Sequence, residues 1–149
     1  MATIFKKYDV RLVQDGGGLY EMDRKITSSI QASELCKLLY DMDKLPYEKM
    51  VMLTLNSQHD VVGCFEVGRG TVDEATVYPR EIATRCLLTN AKAVILTHNH
   101  PSGSLNPSSA DMDITARIED VLEMLDIRLL DHIIVAHDKT YSFADNGIL

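Results

Sequence analysis

The chain lacks several features that would place it in a specialised class of protein. It has no tryptophan, only three cysteines, and no apolar run near the roughly 20 residues that a membrane-spanning helix needs. Cys36, Cys64 and Cys86 are far apart and odd in number, which predicts small buried side chains and disfavours a disulfide framework. The N-terminus has no apolar core followed by a small-residue cleavage site, so we expect a cytoplasmic chain with no membrane segment.

Basic residues are also scarce. Lysine and arginine number 15 against 22 acidic residues, and the net charge is −7. Because sequence-independent nucleic-acid binding depends mainly on neutralising phosphates, this balance disfavours a nucleic-acid partner, although a local patch stays possible. Only Arg69, Arg80 and Arg85 are candidates for such a patch.

The composition that remains is that of a globular protein. Its 149 residues are 46% hydrophobic and 25% charged, which predicts a single α/β domain over residues 1–149. In residues 1–45, apolar alternation over residues 4–14 predicts a strand, and a helix is expected from about Ser29 to Met42.

Residues 46–149 are expected to form the motif-bearing core. Residues 48–56 and 61–67 predict a β-hairpin, and helices are expected from Pro79 and from Ser109. The helix from Ser109 carries one apolar stripe that we interpret as core. Further strands are predicted at residues 93–96, 127–130, 131–136 and 141–143.

Two histidines follow the apolar strand at residues 93–96. His98 and His100 are two apart, so in extended backbone they project to the same side while Asn99 faces away. After a loop, Asp111 falls in the first turn of the next helix. Two imidazoles and one carboxylate leave the fourth position of a tetrahedral zinc open to water, as in catalytic zinc sites.

A structural interpretation of the same residues competes with the metal site. Ser108 and Asp111 also fit a capping box at the helix start, and His98 and His100 could be ordinary loop histidines. The presence of all three candidate ligands within fourteen residues favours the metal site. A capping Ser108 would still keep its own proton free to donate. Elsewhere, we interpret His132 as a hydrogen-bonded strand residue, and His59 and His137 as turn residues.

Hydrolysis of an amide also needs a base to accept the proton of the attacking water and return it to the leaving nitrogen. The candidate carboxylates are Glu48, Glu66, Glu74 and Glu81. Glu48 opens a strongly apolar strand and ranks first, and Glu66 on the returning strand ranks second. Spacing alone does not decide between these two.

The motif His98-x-His100-Pro101, followed by Ser108-x-x-Asp111, resembles the JAMM (MPN+) metalloprotease motif. The longer string from His98 to Gly103, together with Pro107, Ser108 and Asp111, resembles the RadC branch of that family in bacteria. Three flanking segments, residues 70–71, 78–81 and 130–134, resemble the same branch. The resemblance covers roughly residues 48–149.

The resemblance implies an MPN/JAB domain of cytidine deaminase-like architecture, with a mixed sheet flanked by helices. It implies a zinc hydrolase of the peptidase or isopeptidase type, in which a metal-activated water attacks an amide bond. His98, His100 and Asp111 match the zinc ligands, Glu48 matches the catalytic glutamate, and Ser108 matches the residue that donates to the oxyanion.

Two other functions compete with this one. Longer members of the RadC branch carry an N-terminal helix-hairpin-helix region, for which we expect no room in this chain, so a DNA-repair role receives little support. A non-catalytic metal-binding module of a RadC-like DNA repair or processing system is the main alternative, and a nuclease with the same metal is a weaker one. No residue identifies the peptide or amide substrate, and open strand edges would allow a homodimer.

Overall fold

A computed structural model describes residues 1–70 and 77–149. Thr71 and Glu74, two positions considered above, lie outside the described residues. The described helices and strands follow one another along the chain as α1 (Ser29–Tyr40), β1 (Lys49–Leu55), β2 (Val61–Arg69), α2 (Pro79–Leu88), β3 (Ala93–Asn99), α3 (Ser109–Glu123), β4 (Arg128–Ala136) and β5 (Lys139–Ser142). Among them, no helix has the length and apolar character needed to cross a bilayer.

The strands form one mixed five-stranded sheet in the order β2-β1-β3-β4-β5. β3 and β4 are parallel and are connected through α3, whereas the other neighbouring pairs are antiparallel. The predicted α/β fold and the β1–β2 hairpin are therefore confirmed. The two strands predicted at residues 127–130 and 131–136 are one continuous strand, β4.

Both faces of the central strand β1 are covered by helices. Met50 and Met52 pack with α2 and α3 on one face, and Val51 and Leu53 pack with α1 on the other. Because successive strand residues point to opposite faces, this arrangement explains why β1 is buried throughout and carries consecutive apolar residues at positions 50–53 rather than an alternating pattern. The apolar stripe of α3 lies in the first of these two cores, as predicted.

The strand predicted at residues 4–14 is wrong. Residues 1–20 form neither helix nor strand, and the side chains of Phe5 and Tyr8 are 91% and 79% exposed. Apolar alternation stabilises a strand only when a neighbouring strand pairs with its backbone and its apolar side chains are buried. The chain meets the β1–β2 hairpin at Arg24, whose carbonyl accepts a hydrogen bond from the Val61 N–H at 2.9 Å, and at Lys25, which forms an isolated bridge with Asp60.

The cysteines behave as small apolar residues. Cys36 and Cys86 are buried, Cys64 is half-buried, and all three are free thiols. Burial raises the pKa of Cys36 to about 12 and that of Cys86 to about 11.

Candidate metal centre

The end of β3 and the start of α3 bring two histidines and one aspartate together. His98 Nε2 lies 2.8 Å from His100 Nε2, and each of these nitrogens lies 3.2 Å from an oxygen of the Asp111 carboxylate. All three side chains are buried, and one ligand atom from each lies within 4.8 Å of the others. Within residues 1–70 and 77–149, this is the single cluster of at least three such residues.

Asp111 also closes the capping box that the sequence predicts. Its backbone N–H donates to Ser108 Oγ at 3.0 Å, and the Ser108 N–H donates to Asp111 Oδ2 at 2.8 Å. The other carboxylate oxygen, Oδ1, faces His98. The helix-capping and metal-site interpretations of Asp111 are therefore compatible, because the cap orients a carboxylate that also faces both imidazoles.

The second nitrogen of each imidazole is bound outside the cluster. His100 Nδ1 lies 2.7 Å from the Ser104 carbonyl oxygen, which can only accept a hydrogen bond. Nδ1 of His100 therefore carries a proton, and in the neutral ring the lone pair of Nε2 faces Asp111 and His98. His98 Nδ1 lies 2.7 Å from Nε2 of His132.

Burial and hydrogen bonding have opposing effects on the pKa values of Asp111 and His100, whereas burial and charge act together on His132. Burial alone would raise the pKa of Asp111, but hydrogen bonds with His100 and His98 outweigh it and hold the pKa well below its usual value. The hydrogen bond with Asp111 raises the pKa of His100 against the opposing effect of burial. Complete burial, reinforced by His98, lowers the pKa of His132 well below 6.5.

These observations test whether a metal ion fits the residues present. Two imidazole nitrogens and an ionised carboxylate converge, and such a set of electron-pair donors suits a divalent cation such as zinc. The outward hydrogen bonds of His98 and His100 match the second shell that usually orients metal-binding imidazoles. The group formed by His98, His100 and Asp111 could therefore hold a metal ion.

Glu48 is the candidate base that lies beside this cluster. In the antiparallel β1–β3 pair Met50 faces His98, so two further steps of the same register bring Glu48 opposite His100. Glu48 also lines an open cavity of about 420 Å³ together with His100, Ser108 and Asp111. The half-buried Glu48 side chain thus shares one cavity with two candidate ligands, His100 just after β3 and Asp111 in α3.

The other described candidate carboxylates are engaged elsewhere. Glu66 Oε1 accepts a hydrogen bond from Arg69 Nε at 2.8 Å, which lowers the pKa of Glu66. Glu81 accepts a hydrogen bond from Arg85 at 3.0 Å along α2. Neither glutamate lines the cavity beside the histidines.

Asn99, between the two histidines, holds the backbone on both sides of Glu48. Its side-chain Oδ1 accepts a hydrogen bond from the Lys49 N–H at 2.7 Å, and its Nδ2 donates to the Tyr47 carbonyl at 2.8 Å. The strand pattern predicts that Asn99 faces away from His98 but indicates no role for it. Only the pairing of β1 with β3 reveals this contact.

The remaining histidines differ from one another. His59 lies in the β1–β2 turn but is half-buried, although an exposed turn residue was expected, and His137 is exposed in the β4–β5 turn, as expected. His132 is completely buried on β4, between His98 and Thr115. Its hydrogen bonding was expected, but its contact with a candidate ligand was not, because that contact depends on the parallel alignment of β3 with β4.

The mixed sheet and this cluster define an α/β domain of the JAB type with a candidate metal site. Residues 26–148 match the family described as RadC-like JAB domain. The chain belongs to that family, as the motif around His98 indicates.

Curated relatives agree with this assignment. The chain is 51% identical over 104 residues to a UPF0758 protein of Nitrosococcus oceani, covering 70% of this chain and 46% of the relative. It is 42% identical over 133 residues to a UPF0758 protein of Chromohalobacter salexigens, covering 89% of this chain and 58% of the relative. The chain thus spans about half the length of these relatives, and their names state no activity.

Proposed function

We propose that this chain is a zinc-dependent hydrolase of amide bonds, of the JAMM metallopeptidase or isopeptidase type. His98, His100 and Asp111 would hold the metal. The observation that carries the proposal is the convergence of Nε2 of both histidines with both oxygens of one carboxylate, at 2.8 and 3.2 Å. A zinc ion bound there would supply Lewis acidity, which polarises a carbonyl and lowers the pKa of water.

Glu48 would act as the general base and then as the general acid. It would accept a proton from the attacking water and return it to the leaving nitrogen. Its support is its place in the cavity beside His100 and Asp111. The Asn99 contacts with residues 47 and 49 hold the backbone that carries it.

Ser108 would stabilise the oxyanion of the tetrahedral species. Its Oγ accepts the Asp111 N–H, which leaves the hydroxyl proton available to a substrate oxygen in the cavity that Ser108 lines. Removing a single oxyanion donor in other hydrolases lowers kcat by about 10²–10³-fold. Ser108→Ala is expected to do the same here, whereas Ser108→Thr keeps both the cap and the hydroxyl.

The metal is tested on the purified full chain. We expect one zinc per chain by elemental analysis after dialysis, and loss of that zinc in His98→Ala. His137→Asn is the matched control, because His137 is an exposed histidine with a positive φ of 55° that asparagine tolerates. Absence of bound zinc from the unmodified chain under zinc-replete conditions contradicts the proposal.

The non-catalytic module and the nuclease make different predictions. A module would bind zinc and hydrolyse none of a panel of peptide and isopeptide-linked fluorogenic amides. A nuclease would need a free basic strip near the loop, but Arg69, Arg80 and Arg85 each lie within 4.0 Å of a carboxylate. That pairing supports the amide hydrolase over the nuclease.

A further inference from the structure

A buried series of hydrogen bonds lies behind the candidate ligand His98. His98 Nδ1 lies 2.7 Å from His132 Nε2, and His132 Nδ1 lies 2.6 Å from Thr115 Oγ1. Thr115 Oγ1 lies 2.6 Å from the backbone carbonyl oxygen of Asp111. His98 and His132 are 0% exposed and Thr115 is 3% exposed, so solvent does not compete for these contacts.

The Asp111 carbonyl, at the end of this series of hydrogen bonds, sets the direction of every bond in the series. A carbonyl oxygen only accepts, so Thr115 must donate its single hydroxyl proton to Asp111. The Thr115 oxygen then accepts from His132, and the His132 proton is on Nδ1. A neutral imidazole carries one proton, so His132 Nε2 accepts from the Nδ1–H of His98.

The direction of these hydrogen bonds determines which form of His98 faces the candidate metal site. With its proton on Nδ1, His98 presents the lone pair of Nε2 to His100 and Asp111. We propose that Thr115 and His132 are positioning residues that fix His98 in the tautomer able to bind a metal ion. The inference rests on the metal-binding part of the proposed function.

The reverse direction would disable His98 as a ligand. If His132 carried its proton on Nε2, it would donate to His98 Nδ1, and the His98 proton would move to Nε2. That proton would point at Nε2 of His100, where a cation is expected. Asp111 thus contributes twice, with its carboxylate facing the site and its backbone carbonyl ordering the bonds behind it.

The experiment compares the unmodified full chain with Thr115→Val, which keeps the shape of the side chain but removes the hydroxyl. Thr115→Ser restores the hydroxyl. Thr54→Val is the matched control, because Thr54 is an equally buried threonine on β1 whose hydroxyl faces Gly63. Zinc affinity is measured by competition with a chromophoric chelator, and the tautomers of His98 and His132 are read from ¹⁵N chemical shifts.

We expect Nδ1–H tautomers for His98 and His132 in the unmodified chain, and a mixture in Thr115→Val. Zinc affinity should fall by about 10–100-fold in Thr115→Val, the usual effect of losing a second-shell partner. Thr115→Ser and Thr54→Val should both keep the original affinity and tautomers.

Unchanged tautomers and zinc affinity in Thr115→Val would overturn the inference. So would an Nε2–H tautomer of His98 in the metal-free unmodified chain, a measurement that needs no variant to fold. If the unmodified chain bound no zinc, the proposed function would fail, and the tautomer pattern would still decide the direction of the hydrogen bonds.

Discussion

Residues 1–19 and residues 93–115 contrast sharply, although apolar patterns in both predicted a strand. In the first segment every side chain is exposed, and neither helix nor strand forms. In the second, β3 pairs with a strand on each side, and all seven of its residues are buried. The difference shows that alternation alone does not make a strand, since the backbone also needs partners and the side chains need a covering layer.

The buried segment also carries polar groups that burial would otherwise disfavour. His98, Asn99, His100 and Asp111 are all buried, and every buried side-chain nitrogen or oxygen in the described part of the chain has a hydrogen-bond partner. Burying a polar group without a partner costs about 1–3 kcal/mol, so these contacts favour one arrangement of the segment. The contrast therefore predicts strong functional effects at the site and almost none in residues 1–19.

The largest effect is expected for Glu48→Gln, which removes the proposed base while keeping the size of the side chain. Amide hydrolysis should fall by about 10²–10⁴-fold, because general base catalysis contributes that much. Zinc content should be unchanged, since Glu48 is not among the clustered ligands. The measurement is initial rate and zinc stoichiometry on the same sample. Glu66→Gln is the control, and equal losses in both variants would remove Glu48 as the base.

A smaller effect is expected for Asn99→Ala, which removes the contacts on both sides of Glu48. The Lys49 N–H and the Tyr47 carbonyl lose their partner, so the free energy of unfolding should fall by about 1–3 kcal/mol. Hydrolysis should fall through kcat while zinc affinity stays near that of the unmodified chain. Denaturant unfolding and steady-state kinetics check both parts. Unchanged kcat would show that Asn99 stabilises the strands without positioning Glu48.

The residues of the site also show what the sequence could and could not predict. The period of two in a strand predicts that His98 and His100 point to the same side, and the helix-start pattern predicts that Asp111 lies in the first turn of a helix. Both predictions need only local sequence. The choice of Glu48 over Glu66 did not follow from spacing, and required the resemblance. The β1–β3 register, which is a long-range pairing, explains physically why Glu48 lies beside His100 in one cavity.

The same difference between local and long-range features explains which of the other predictions were right and which were wrong. The helices were predictable because their caps and apolar stripes are local features, such as the capping box at Ser108. The hydrogen bonds from His132 to Thr115 and His98 join three elements, so no short window of sequence contains them. The strand predicted at residues 4–14 failed for the corresponding reason, because its missing partner is also a long-range property.

An effect of intermediate size on zinc affinity is expected from a change of pH. Asp111 raises the pKa of His100 above its ordinary 6.5, so in the metal-free chain a proton competes with zinc for His100 Nε2. Zinc affinity should be highest above that raised pKa and should fall about tenfold per pH unit below it, because one proton is displaced. Chelator competition between about pH 8 and pH 5 measures this. A flat profile would mean that His100 does not bind the metal.

The smallest effect is expected from deleting residues 1–19. Every side chain removed is exposed, and changes confined to such surfaces usually alter stability by no more than about 0.5 kcal/mol. Deleting residues 1–27 instead removes Ile26, which is 5% exposed and packs in the core beside α1. That burial is worth about 1.5–3 kcal/mol, so only the longer deletion should lower the denaturant midpoint clearly. Equal losses in both deletions would show that residues 1–19 contribute to stability after all, and zinc affinity in the shorter deletion would then reveal whether that contribution reaches the site.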